Sequence, residues 1–166
     1  MIDTMWADGP RADFIRETAL FAPLIGSWDL EVDTIGDDGS ITTVDGEWTF
    51  GWALDGRAVV DVWLSPARAS RLPQSDGEWG ASVRFFDPAI GAWRSTWHGP
   101  ARGWVIPFVG RECDEGIELS GRRDHVDLRW VFSEITPTSF LWRAEEASPG
   151  EPVHVRQRFR ARRACR

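Results

Sequence analysis

The sequence predicts an all-β protein: a closed antiparallel up-and-down β-barrel of about ten strands with a short N-terminal helix. Apolar and polar residues alternate from Gly26 onward, in segments of about eight to ten residues. Gly, Asp and Pro residues suited to tight turns separate these segments. Because consecutive hairpins leave two unpaired edges, closure into a barrel is the simplest arrangement.

The alternation divides the chain into ten predicted strands, at 27–35, 41–50, 57–64, 79–87, 91–98, 102–110, 115–121, 126–134, 138–147 and 152–162. The span 65–78 is the one longer loop. A β-sandwich is the main rival architecture, but its Greek-key crossings need longer connections than most of these. A doubly wound α/β fold is excluded because no helical stretches separate the strands.

The N-terminal segment, 1–23, differs from the barrel domain predicted over 24–163. Its stretch RADFIRETALFAPL places Phe14, Ala19 and Leu20 on one helical face, and Pro23 is expected to end that helix. The acidic N-terminus lacks the basic and apolar regions of a signal peptide, so we expect a cytoplasmic protein.

Composition excludes several classes of function. The net charge of −7 opposes nucleic-acid binding, and no apolar run approaches the roughly 20 residues of a membrane-spanning helix. The basic C-terminal strand is expected to place Arg156, Arg158 and Arg160 on a solvated outer face. All 19 basic side chains are arginine and tyrosine is absent, which excludes Schiff-base chemistry and tyrosine acid catalysis.

Familiar catalytic motifs are missing as well. The sequence contains no glycine-rich phosphate loop, no Gly-x-Ser-x-Gly elbow, no paired histidines at metal spacing and no Cys-x-x-Cys. We therefore expect neither a cofactor nor a metal. Cys113 and Cys165 are predicted to be free thiols.

The motif Gly26-Ser27-Trp28, between the helix and the first strand, resembles the Gly-x-Trp signature of lipocalins and related calycin-type barrels. That resemblance implies that Trp28 closes one barrel end beneath an arginine from the last strand, for which Arg158 and Arg160 are the candidates. Residues 22–163 also resemble a bacterial lipocalin-like family, the domain of unknown function numbered 1579. The resemblance lies in Leu24-Ile25-Gly26-Ser27-Trp28, Leu54-Asp55-Gly56-Arg57, Phe86-Asp87-Pro88 with Trp93 and Trp97, and the Arg-rich last strand.

Nitrobindin-type haem barrels are similar in size and bind iron through a histidine. The sequence has His98, His125 and His154 but lacks the glycine-rich opening of that family. Haem binding is therefore a minor alternative.

Alternation also predicts which side chains reach the interior. Trp48, Phe50 and Trp52 share one strand face and are expected to line a pocket. Asp61 shares a face with Trp63, and Arg84 shares a face with Phe86 on the next strand. Because a lone charge inside an apolar cavity is costly, we expect Asp61 and Arg84 to pair there and orient a ligand.

Three further residues complete the candidate site. Trp97 shares a face with Trp93, and His98, beside Gly99-Pro100 at a barrel rim, is suited to general-base catalysis. Arg129 is expected to bind ligand if its strand face points inward, which alternation alone does not decide.

Eleven tryptophans are a large excess for this length, and indoles suit the wall of an apolar pocket. The first hypothesis is therefore binding of a small hydrophobic or aromatic molecule in a tryptophan-rich cavity. The alternative is a cofactor-independent cyclase or isomerase acting on a polyketide-like or terpenoid substrate, with Asp61, Arg84 and His98 as its catalytic groups. Because Val60, Val62 and Leu64 make the opposite face of the 57–64 strand apolar too, that face is expected to pack under the helix or against a second subunit in a homodimer.

Overall fold

A computed structural model describes residues 5–72 and 77–165 of the chain. These residues form ten strands: β1 Gly26–Ile35, β2 Ile41–Ala53, β3 Ala58–Ser65, β4 Glu78–Asp87, β5 Ala92–Gly99, β6 Trp104–Cys113, β7 Gly116–Arg123, β8 Val126–Ser133, β9 Ser139–Ala147 and β10 His154–Arg163. Each strand pairs antiparallel with the next, and β10 pairs with β1. The predicted closed up-and-down barrel is confirmed, and the sandwich alternative is wrong.

The N-terminal segment forms short helical turns beneath the barrel. Helix α1, Ile15–Thr18, is a single turn flanked by two tighter helical turns, Ala12–Phe14 and Ala22–Leu24. The expected apolar face is only partly right, because Thr18 and Phe21 are buried whereas Ala19 is exposed. The helix ends after Thr18, so Ala19 and Leu20 lie beyond it and do not continue its apolar face. Pro23 lies inside the last turn instead of ending the helix.

The turn between β2 and β3 anchors this segment to the barrel. Gly56 has a φ of 76°, and the backbone N–H of Arg11 donates to its carbonyl oxygen at 3.2 Å. A Cβ atom at Gly56 would lie 2.4 Å from the Arg11 nitrogen, so only glycine permits this close approach. The Ala7 N–H donates in the same way to the Trp52 carbonyl at 2.9 Å. The end of the barrel nearest the N-terminal segment is therefore covered, and we call it the lower end.

Trp28 lies at the lower end with an arginine over its ring, as the Gly-x-Trp resemblance implied. That arginine is Arg163, whose guanidinium carbon lies 4.1 Å from the ring centroid. The expectation of Arg158 or Arg160 was wrong, because both lie on the outer face of β10, where Arg160 binds Glu31. Arg163 lies on the same inward-facing side of β10 as Phe159 and Ala161.

The outer face of β3 and β4 remains exposed in the single chain. Val62, Val83 and Phe85 are 41%, 36% and 42% exposed, because the N-terminal helix lies at the lower end and does not cover them. Cys113 and Cys165 are free thiols, as predicted. Across the described part of the chain, no helix combines the length and the apolar character needed to cross a membrane.

Candidate functional site

Five aromatic rings form a closed circle inside the upper half of the barrel. Neighbouring ring centroids in the circle lie 6.2, 5.7, 5.4, 4.2 and 5.6 Å apart, taken in the order Trp63, Trp97, Trp130, Trp142, Phe159 and back to Trp63. We call these five residues the aromatic collar. They come from β3, β5, β8, β9 and β10, so only closure of the barrel brings them together. All five line a cavity that opens at the upper end.

Trp48 forms the floor of this cavity. Its ring contacts the collar at Trp142 and Phe159, with centroids 5.9 and 5.7 Å away, and also contacts Phe50 and Phe132 of the lower half. Its indole N–H donates to Asp61 Oδ1 at 2.8 Å. Trp48 therefore separates the cavity from the filled part of the barrel.

A buried ion pair lies below this floor. Arg84 donates to Asp61 Oδ2, and both side chains are almost completely buried. The Arg84 guanidinium also lies over the rings of Phe21 and Phe50, at 5.3 and 5.8 Å. The expected inward pair is thus present, but neither member is among the residues that line the cavity. Asp61 does not contact the cavity itself, but it accepts the hydrogen bond that holds Trp48 at the cavity floor.

The rim of the cavity is more polar than its wall. Glu78, Arg102 and Gln157 line the mouth together with Trp79 and Trp104. Arg102 pairs with Glu78, and its guanidinium lies 5.1 Å from the Trp104 ring centroid. The mouth can therefore present charged and aromatic groups to a ligand that enters the cavity.

The collar contains two indole N–H groups that are buried and unpaired. Trp63 and Trp142 are 5% and 4% exposed, and neither Nε1 atom has a hydrogen-bond partner among the residues that the structure describes. Buried polar groups without partners are rare in native proteins.

The structure distributes the predicted ligand-binding residues over the whole barrel. Trp48, Trp63 and Trp97 line the cavity. Phe50 and Trp52 are buried lower on β2. Phe86 lies at the lower end, in a shallow groove beside helix α1.

The remaining predicted residues lie outside the cavity. His98 is exposed on the outer face of β5. His125 and His154 are exposed as well, so none of the three histidines is placed to hold haem in the cavity. Within residues 5–72 and 77–165, no cluster of three or more His, Cys, Asp and Glu side chains is placed to bind a metal ion.

Arg129 lies on the outer face of β8, in a network with Glu115, Glu118, Arg143 and Glu145. Hydrogen bonds from Arg143 and Arg129 lower the pKa of Glu115 from its ordinary value of 4.5 to about 2. The hydrogen bonds that Arg129 donates to Glu145 and Glu118 raise its own pKa. These partners hold Arg129 at the surface of the barrel.

Several cavity residues were not predicted: Trp79, Trp104, Trp130, Trp142, Phe159, Glu78, Arg102 and Gln157. On β8, Trp130 alternates with Leu128 and Phe132, and alternation alone did not predict which face of this strand points inward. Phe140, Trp142 and Ala144 alternate in the same way on β9, and this apolar face was the available signal.

Two solved structures show the same fold. The crystal structure of Rv2717c from M. tuberculosis matches with a TM-score of 0.67 and 16% identity, over 89% of this chain and 97% of that chain. The S-type phycobiliprotein lyase CPES from Guillardia theta matches with a TM-score of 0.61 and 11% identity, over 95% and 99% of the two chains. These likenesses fit a lipocalin-like barrel, and at such identities they show the fold alone.

No family model and no curated protein matches the chain. The resemblance to the domain of unknown function numbered 1579 is therefore not confirmed.

Proposed function

We propose that this protein binds a small hydrophobic or aromatic molecule in the cavity inside the aromatic collar. The observation that carries the proposal is the closed circle of five aromatic rings around a cavity that is open at one end. A barrel built only for stability or for surface interactions would fill this space with side chains, as its lower half does.

The aromatic lining of the cavity favours a flat ligand. Its volume is about 80 Å³, so it encloses part of a ring system while the rest lies in the open mouth. Indole walls contact a planar aromatic molecule over a wide area in stacked or edge-to-face geometry. A flat ring system between the collar rings, with any charged group near the mouth, suits this lining.

Calorimetric titration with naphthalene tests the proposal. We expect saturable binding of one naphthalene per chain. The exposed Ala101 lines the mouth of the cavity, and Ala101→Trp should obstruct it and weaken binding about tenfold or more. Ala89→Trp is the matched control, because Ala89 is an exposed alanine in the β4–β5 turn at the lower end.

Two results would contradict the proposal. One is naphthalene binding that never saturates, and the other is equal weakening by the two tryptophan substitutions. Mass spectrometry of the protein under native conditions adds an independent measurement, since a tightly held ligand would remain with the purified chain.

The alternative function, a cofactor-independent cyclase or isomerase, remains a prediction from the sequence. Its expected catalytic groups do not line the cavity, because Asp61 and Arg84 lie below Trp48 and His98 lies on the outer face. Binding needs only the aromatic side chains that line the cavity, whereas catalysis would need an acid or a base within reach of the ligand.

Three further predictions from the sequence concern the location, the family and the oligomeric state of the protein. A cytoplasmic location, membership of the lipocalin-like family numbered 1579 and a homodimer formed through the exposed β3–β4 face all remain proposals. The likeness to a phycobiliprotein lyase supports the fold, and the ligand class proposed here rests on the aromatic lining.

A further inference from the structure

We propose that the ligand carries a neutral hydrogen-bond acceptor, a carbonyl oxygen or an aromatic ring nitrogen, that receives the indole N–H groups of Trp63 and Trp142. This inference rests on the proposed function and specifies which functional group the ligand of the same cavity carries.

The indole N–H groups of the barrel interior fall into two kinds. Two of them are paired: Trp28 in the lower half donates to the Leu24 carbonyl and Trp48 at the floor donates to Asp61, both at 2.8 Å. In the collar, Trp63 and Trp142 are more than nine-tenths buried and their N–H groups have no partner within the described residues. Both indoles line the cavity that a ligand would enter. Two other buried groups without a partner in the described chain, the Ser82 hydroxyl and Arg84 Nε, lie below the floor and do not line it.

The collar itself offers these donors no strong acceptor. Phe159 stacks between the two indoles, with ring centroids 5.6 Å from Trp63 and 4.2 Å from Trp142. Trp142 also meets Trp48 and Trp130 edge to face. Ring faces accept only weak hydrogen bonds, whereas an unsatisfied buried N–H costs about 1–3 kcal/mol. An acceptor on the ligand would remove that cost on binding.

The charges around the cavity favour a neutral acceptor over a carboxylate. Arg84 lies below the floor and is already paired with Asp61, and Arg102 lies at the mouth and is paired with Glu78. A carboxylate at the depth of the collar would be buried without a free cation beside it, which is costly. A ketone, an amide or a pyridine-like nitrogen would meet the two N–H groups without that penalty.

Indane and indanone provide a matched pair of probes, since they share one ring skeleton and differ by the carbonyl group. An apolar cavity without donors prefers the hydrocarbon, because entry costs the ketone its hydrogen bonds to water. We expect the wild-type protein to bind indanone at least as tightly as indane in calorimetric titrations.

Substitution of the donors isolates their effect. Trp63→Phe and Trp142→Phe keep an aromatic ring but remove the N–H, so each should shift the ratio of the two affinities about tenfold toward indane. Trp97→Phe is the matched control, because Trp97 belongs to the same collar but its N–H is not among the buried unpaired donors of the described chain. It should shift the ratio less than about twofold. Thermal unfolding of each variant checks that the barrel is intact.

A second measurement needs no variant. The carbonyl stretching band of indanone bound to the wild-type protein should lie at lower frequency than in an apolar solvent, as expected for a carbonyl that accepts hydrogen bonds.

The outcomes separate this inference from the proposed function. A ratio that responds to Trp63→Phe or Trp142→Phe but not to Trp97→Phe, together with the shifted band, supports it. An unchanged affinity ratio and an unshifted carbonyl band overturn this inference, and the two N–H groups then point to ring faces. Binding of indane would still support the proposed function in that case. If neither probe binds, the proposed function fails and this inference fails with it.

Discussion

The lower and upper halves of the barrel both contain many aromatic side chains but differ in how completely these side chains fill the interior. In the lower half, Trp28 packs edge to face on Phe140, its N–H is bonded to Leu24, and Arg163 covers its ring. In the upper half, the collar surrounds open space and leaves the N–H groups of Trp63 and Trp142 unpaired. The comparison indicates that aromatic residues stabilise one end of the barrel and provide a binding surface at the other.

The difference has a physical cause. The N-terminal segment inserts Phe21 and Leu24 into the lower end, where both are completely buried. Dense packing of this kind provides dispersion contacts and removes apolar surface from water. The upper end has no comparable cover among the described residues, so its aromatic side chains keep one side open to the cavity.

The largest expected effect is the loss of Trp28. Trp28→Ala should lower the free energy of unfolding by about 3–5 kcal/mol, because it leaves a large cavity in a filled region. Trp104→Ala, at the half-buried rim, should cost only about 1 kcal/mol. Urea unfolding of both variants measures the difference, and equal losses would contradict the division into two halves.

A second substitution tests the boundary between the halves. Arg84→Met leaves the buried Asp61 carboxylate without its cation and should destabilise the fold by about 3 kcal/mol or more. Because Arg84 lies below Trp48, naphthalene affinity should change less than about threefold. Urea unfolding and calorimetry measure the two quantities. Unchanged stability with a large loss of affinity would show that the Asp61–Arg84 pair belongs to the ligand site after all.

The smallest expected effect concerns the outer surface, where the Arg129 network provides an external contrast to the buried pair. The folded state lowers the pKa of Glu115 to about 2, so its contribution to stability is present above its ordinary value of 4.5 and is lost as the pH falls through about 2. Glu115→Gln should therefore make the stability depend less steeply on pH in this range. The size of the effect is small because the pair is exposed to solvent.

Urea midpoints measured at several pH values between 5 and 2 provide this comparison, with Glu151→Gln as the control in the exposed β9–β10 turn. If the two glutamine variants have the same pH profile, the Arg129 network does not contribute to acid stability.

Local patterns predicted some site residues and missed others for identifiable reasons. The period-two alternation placed Asp61 beside Trp63 and Arg84 beside Phe86, and the pairing of β3 with β4 then brings the two charges together. The same alternation on β10 groups Arg163 with Phe159 and Ala161, whereas the two arginines predicted to lie over Trp28 occupy outward positions. His98 lies on the strand face opposite Trp93 and Trp97, and because those two indoles point inward it is on the outer face.

The sequence by itself determined the ten strands, their turns, the Gly-x-Trp start of β1 and the closure into a barrel, because these depend on local alternation and turn chemistry. Only the tertiary structure decided which face of β8 and β9 points inward, and therefore that Trp130 and Trp142 join Trp63, Trp97 and Phe159 around one cavity. These residues come from strands far apart in sequence, and their distances are set by the curvature and register of the closed sheet. It also decided which end of the barrel the N-terminal segment fills, and hence which indoles remain available to a ligand.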